Sequence, residues 1–156
     1  MMHVVLVEPE IPGNTGNIAR LCAATGASLH LVRPLGFSVD DKYLRRAGLD
    51  YWHLVNVQYY DHVEEVLAAY PHSAKFLLTT HAHQSYTRVH YPEDSLLIFG
   101  KESAGLAPEF REKYQKDCVR IPMVPEARSL NLANSVAIVL YEALRQNDFD
   151  LAPGTI

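Results

Sequence analysis

The sequence predicts an α/β fold: one domain, with a mainly parallel sheet flanked by helices. Three observations carry that reading. Apolar, β-branched runs alternate with segments of helical period along the whole chain. The 156 residues fit one hydrophobic core and leave no room for a second domain beside it. No repeat, low-complexity stretch or linker interrupts the alternation.

His3 to Val7 reads as the first strand. A helix follows from about Thr15 to Thr25, with Ile18, Leu21, Cys22 and Thr25 on one face, Asn14 or Thr15 as its cap and Gly26 as its stop. Leu29 to Val32 is the second strand. Asp40 to Ala47 is a short helix opened by an aspartate, Leu54 to Val57 a strand, and Asp61 to Tyr70 a helix closed by Pro71. Phe76 to Thr80 and Leu96 to Phe99 read as buried strands. Pro108 to Asp117 is helical, Cys118 to Ile121 is the last strand, and Asn131 to Gln146 is the longest helix. In that helix Leu132, Val136, Val139 and Ala143 make one apolar face, while Ala133, Ala137, Leu140 and Leu144 make another. Two apolar faces need two covers, and a second subunit is the economical one, so a dimer is expected.

Composition narrows the function classes. With 48% hydrophobic and 21% charged residues the chain is an ordinary globular protein, neither disordered nor fibrous. No apolar run approaches the roughly 20 residues of a membrane span, and acidic residues follow MMHVVLV too soon for a signal peptide, so a cytoplasmic protein is expected. Cys22 and Cys118 lie in apolar surroundings and read as small core residues. The net charge of -4 provides no global basic field for nucleic acid. Two local basic stretches stand out: Arg33 to Arg46, with four bases against Asp40 and Asp41, and Arg111 to Arg120, with four against Glu112 and Asp117. Each is either a phosphate-facing patch or a solvated helix face.

The common nucleotide and metal fingerprints are missing. There is no G-x-G-x-x-G after the first strand, no G-x-x-x-x-G-K-[ST] and no H-E-x-x-H. His81 and His83 have no further ligand at metal spacing, so no metal is expected. Ser103 does not sit in a G-x-S-x-G elbow. Three polar segments remain without a packing role. Glu8 to Arg20 leaves the first strand and enters a helix whose first turns carry Asn17 and Arg20. Phe99 to Leu106 is a glycine-containing loop at the carboxyl end of a strand, where α/β sheets bind ligands. Ile121 to Asn134 is stiffened by Pro122 and Pro125, and its Ser129 and Asn131 can cap the last helix.

In this order the segments EPEIPGNTGNIARLCAATG, FGKESAGL and IPMVPEARSLNLANSVAIVLYEA resemble the three motifs of the SPOUT-class RNA methyltransferases. Together with DDKYLRRAGLDYW and the short length, they are similar to the small bacterial tRNA (cytidine(34)-2'-O)-methyltransferases, over the whole chain. The second motif of that family more often carries proline and threonine where this chain has Lys101 and Ser103.

The resemblance implies a single SPOUT-type domain with a C-terminal trefoil knot formed from about Leu78 onward. It implies S-adenosylmethionine bound among Leu78, Gly100, Ile121, Met123, Ser129 and Leu130. It also implies a homodimer acting on the tRNA anticodon stem-loop, with methyl transfer to the 2'-hydroxyl of nucleotide 34, a cytidine or modified uridine, in leucine isoacceptors. Arg20 is the implied catalytic residue. A guanidinium does not serve as a base in proteins, so its role is to hold a phosphate and stabilise the developing alkoxide, opposite the cofactor of the other subunit. Asn17, Glu102 and Asn131 are candidates for orienting it. RNA is expected to meet Asn17, Lys42, Arg45 and Arg46. Methylation of another tRNA or rRNA nucleotide, and a non-catalytic RNA- or adenosine-binding module, are the alternatives.

Overall fold

In the computed structural model, residues 1–38, 42, 46 and 49–151 are described. Six strands form one sheet: β1 (Met2–Val7), β2 (Ser28–Val32), β3 (Val57–Tyr60), β4 (Ala74–Leu78), β5 (Ser95–Phe99) and β6 (Cys118–Val119). The order is β3-β2-β1-β5-β4-β6, with every pair parallel. The central β2 and β5 are buried along their whole length, because helices cover both faces of a parallel sheet. Helices α1 (Pro12–Thr25) and α4 (Leu132–Gln146) lie on one face. There Ile18, Cys22, Val136, Val139 and Leu140 pack with Val4, Leu6, Leu29, Leu31, Leu97 and Phe99. On the other face α2 (Val63–Ala69) and α3 (Pro108–Lys113) bring Val66 and Phe110 to Val5, Val32, Leu77, Leu96 and Ile98.

Several expected boundaries shift for local reasons. Helix α1 starts at Pro12, a residue suited to a first helical position, so Asn14 and Thr15 lie inside the helix and do not cap it. It ends at Gly26, whose φ of 76° is left-handed and whose N–H reaches the Cys22 carbonyl. Leu49–Leu54 is a 3-10 turn, and the third strand begins only at Val57, where Leu29 N–H on β2 is already paired to the Asn56 carbonyl. The last strand stops at Val119, and α3 gives way to a 3-10 turn at Gln115–Asp117. The short helix expected over Asp40 to Ala47 falls largely outside the described residues, although Lys42 and Arg46 are helical.

Part of the second apolar face of α4 is covered within one protomer. Leu140 and Leu144 are buried, where α4 packs against α1 and the β1–β5 centre of the sheet, while Ala133 and Ala137 are half-buried. The large apolar side chain that this helix leaves open is Tyr141, 43% exposed. Both cysteines are core residues as expected, and burial pushes the Cys22 thiol up to about 12.

A buried polar pair interrupts the apolar core. His3 Nε2 lies 3.3 Å from Asp94, His3 Nδ1 lies 3.0 Å from His30 Nε2, and His30 Nδ1 lies 2.9 Å from the Tyr60 hydroxyl. Asp94 only accepts, so neutral His3 donates to it from Nε2 and accepts from His30. Burial pushes the His30 pKa down from 6.5 to about 4 and lowers that of His3, the latter opposed by Asp94. In the unfolded chain these imidazoles take up protons more readily than in the fold. The stability they confer is therefore present above pH 6.5 and lost as pH falls toward 4, on the order of 3 kcal/mol for His30. Melting temperature should fall over that window in wild type, and the gap to His30→Leu should narrow. A gap that stays constant from pH 7.5 to 4.5 would contradict this.

Candidate functional site

Strands β1 and β5 are neighbours whose following connections leave in opposite directions, β1 toward β2 and β5 toward β6. A crevice opens at such a switch point, at the carboxyl ends of the strands. At its lip Glu8 takes φ 56°, a strained conformation for a non-glycine residue. After β5 the chain folds back on itself: Gly105, at φ 71°, donates its N–H to the Lys101 carbonyl at 2.8 Å. A Cβ on Gly100 would stand 2.1 Å from the Gly105 carbonyl carbon and 2.3 Å from Leu106 N, so only glycine fits at the base of this loop.

The loop's carboxylate then reaches across the crevice. Glu102 Oε1 accepts from Glu10 N–H at 2.8 Å, and Oε2 accepts from Ile11 N–H at 2.9 Å and Asn14 Nδ2 at 3.1 Å. Glu10 answers by accepting from Ser103 N–H at 2.8 Å, and the Ser103 hydrogen bonds hold its carboxyl below the usual carboxylate range. Asn14 Oδ1 accepts from Asn131 Nδ2 at 3.1 Å, while Asn131 Oδ1 caps α4 by accepting from Asn134 N–H at 3.1 Å. All three polar segments are thus tied into one network.

They enclose a cavity of about 560 Å³. Leu78, Gly100, Ile121, Met123, Ser129 and Leu130, all six residues implied for the cofactor, line it. Its walls join apolar side chains to polar ones such as Thr79, Ser129, Asn131 and Ser135 and to the charged Lys101, Glu102 and Arg128, a mixture that suits the adenine and the zwitterionic methionine end of S-adenosylmethionine. Arg20 is not on the wall. It lies exposed on α1, with its guanidinium 5.1 Å from the centre of the Tyr51 ring. Glu102 and Asn131, expected as its orienting partners, are instead committed to Asn14 and the loops. Asn17 is exposed on α1, three residues before Arg20. Lys42 and Arg46 are helical and exposed, and Arg45 lies outside the described residues. Sequence reasoning missed Tyr51 as the neighbour of Arg20. The available signal was an aromatic close behind the basic run, but only the fold brings it to α1.

The fold and the cavity define a switch-point ligand-binding α/β protein, and comparison with known proteins gives its family. Residues 1–141 match the model of the SpoU rRNA Methylase family. A Bacillus subtilis protein, provisionally named tRNA (cytidine(34)-2'-O)-methyltransferase, is 52% identical over 151 residues, covering 95% of this chain and 94% of its own. The tRNA (cytidine(34)-2'-O)-methyltransferase of Methylovorus glucosotrophus is 49% identical over 150 residues, covering 96% and 97%. A solved structure from work on the 2-OH methylation of C/U34 on tRNA superposes with a TM-score of 0.90 at 42% identity, covering 95% of this chain and 97% of that one. A SpoU methyltransferase from Streptomyces viridochromogenes in complex with AdoMet has a TM-score of 0.77 at 28% identity, covering 94% and 57%. The chain belongs to the SpoU methylase family and is a methyltransferase of the SPOUT fold.

The glycine requirement is directly testable. Gly100→Ala should cost about 2 kcal/mol or more in chemical denaturation, because the backbone it would meet cannot move aside. Gly13→Ala, whose Cβ would meet nothing within 4 Å on α1, should be neutral or stabilising. Equal effects at the two positions would contradict the packing argument.

Proposed function

We propose that the protein is an S-adenosylmethionine-dependent tRNA methyltransferase acting on the ribose 2'-hydroxyl of nucleotide 34, a cytidine or modified uridine, with leucine isoacceptors as substrates. The observation that carries this reading is the convergence of all three polar loops on one cavity at the switch point. The names of the relatives, the C/U34 structure and the AdoMet-bound neighbour support it.

Leu78, Ile121, Met123 and Leu130 would hold the adenine and methionine chain, with Gly100 presenting backbone and Ser129 a hydroxyl. When bound, S-adenosylmethionine supplies an electrophilic methyl group. The chain's own task is then to place the hydroxyl in line and stabilise its oxygen as the proton leaves. Arg20 holds an RNA phosphate in its planar fork and counters the negative charge on that oxygen. Asn17, on the same exposed turns, and Lys42, Arg45 and Arg46 contact the anticodon stem-loop.

The active form is a homodimer in the cytoplasm. Arg20 lies off the cavity of its own protomer, which favours a site completed by a second chain, and the cavity rim exposes Ile11 and Leu130, 49% and 38% accessible. The C-terminal segment forms a trefoil knot. Its support is the path of the chain: β6 lies at the sheet edge beyond β4, yet α4 packs on β1 and β5, so residues 120–131 return across the ends of β4 and β5.

Mapping ribose methylation on total tRNA treated with the purified protein tests the substrate assignment. A mark at nucleotide 34 is expected, and a mark only elsewhere, or only on rRNA, would overturn it. Arg20→Ala should leave cofactor affinity by titration calorimetry nearly unchanged while lowering methyl transfer by about 10² or more, and Arg20→Lys should recover little. A loss of affinity in proportion to activity would instead place Arg20 in the cofactor site.

A further inference from the structure

Two features of the sequence have no role in the proposed reaction: the pair His81 and His83, and the basic run from Arg111 to Arg120. The fold brings them together. A second cavity, of about 380 Å³, lies beside the first, and the two share Thr79 and His81 on their walls. His81, His83, Gln84, Arg111 and Lys116 line it, with Glu112 as its one carboxylate. This concentration of cationic and hydrogen-donating groups stands against a chain charge of -4.

Hydrogen bonds to the backbone hold its frame. Gln84 Nε2 donates to the Cys118 carbonyl at 3.2 Å, Arg120 N–H donates to the Gln84 carbonyl at 2.9 Å, and His81 N–H donates to Thr79 Oγ1 at 3.1 Å. Arg111 Nε donates to the Leu106 carbonyl at 3.3 Å, which ties the wall of this cavity to the glycine loop of the other. The side chains of His83 and Lys116 are exposed. By contrast, Lys113 points away from the cavity to Glu64 at 3.2 Å, and Lys75 pairs with Asp117 at 3.5 Å. Among the described residues, Arg111 and Lys116 have no carboxylate partner of this kind.

We propose that this second cavity is an RNA site, which takes a backbone phosphate and its nucleoside from the substrate strand, apart from the nucleotide that is methylated. Arg111 and Lys116 supply charge to the phosphate, the ring nitrogens of the two histidines supply hydrogen bonds, and the shared wall at Thr79 and His81 aligns the strand with the first cavity. The inference rests on the reading of this protein as an RNA enzyme and says where a second part of the RNA is held.

Fluorescence anisotropy with labelled tRNA tests it in a way that does not depend on methyl transfer. Lys116→Glu should weaken tRNA binding about tenfold and reduce the slope of log affinity against log salt by about 1, His83→Ala should weaken it less, and S-adenosylmethionine affinity should not change. Lys113→Glu, the same charge change outside the cavity, should stay near wild type. The proposal is overturned if Lys116→Glu binds like wild type, if Lys113→Glu is equally impaired, or if wild type does not bind tRNA. Cytidine 5'-monophosphate that binds through Lys116 while tRNA affinity ignores that residue would also overturn it, in favour of a free nucleotide. Wild type that binds tRNA through Lys116 but does not methylate nucleotide 34 would leave this site standing and remove the proposed function.

Discussion

The carboxylate of Glu102 bridges the carboxyl ends of β1 and β5, and the arrangement of the site depends on it. The two connections diverge there, so nothing in the sheet itself holds them together. Glu102 satisfies two backbone N–H groups at the entrance to α1 and the Asn14 amide in its first turn, where the helix dipole also favours a negative charge. Charge-assisted bonds of this kind contribute roughly 1.5–3 kcal/mol each before non-additivity. The return bond from Ser103 N–H to Glu10 makes the link reciprocal, so neither loop can shift without opening both halves.

The consequence extends to both partners of α1. With its amide nitrogen given to Glu102, Asn14 is turned so that its carbonyl faces Asn131, and Asn131 in turn caps α4. The third loop is therefore positioned by the first two. Along α1, Arg20 lies six residues beyond Asn14, about 9 Å at the helical rise, and a rigid helix carries the registration of the loops out to its guanidinium. Tyr51 beneath that group limits its excursions at the far end. The second cavity inherits the same frame through the bond from Arg111 to the Leu106 carbonyl.

The strands were legible because buried parallel strands appear as compact apolar runs, and five of the six expected strands cover most of an observed one, while the third shares only Val57 with β3. Their ends were less legible: the apolar LVNV stretch suggested a strand, yet Leu49–Leu54 turns as a 3-10 segment and pairing with β2 begins at Val57. The six residues that the family motifs imply for the cofactor all line one cavity. Neither periodicity nor motif could place Glu102, because its partners are about 90 residues away and are mostly backbone groups. Asn14 misled for the same reason: an asparagine near a helix start resembles a cap until a tertiary partner claims its side chain. The two apolar faces of α4 were correctly seen, but what covers much of them, α1 and the sheet of the same chain, is a matter of tertiary packing.

Amide hydrogen exchange in wild type and Glu102→Gln, followed at Glu10, Ile11 and Ser103 and combined with S-adenosylmethionine titration, tests the central claim most directly. An amide group keeps the shape but, whichever way it is turned, sets an NH2 donor against the N–H of Glu10 or of Ile11. The account predicts that protection at all three amides falls by about tenfold or more, and that cofactor affinity falls with it, while the exchange of β1 and β5 is unchanged. A Glu102→Gln protein with wild-type protection at these amides and wild-type affinity would contradict it.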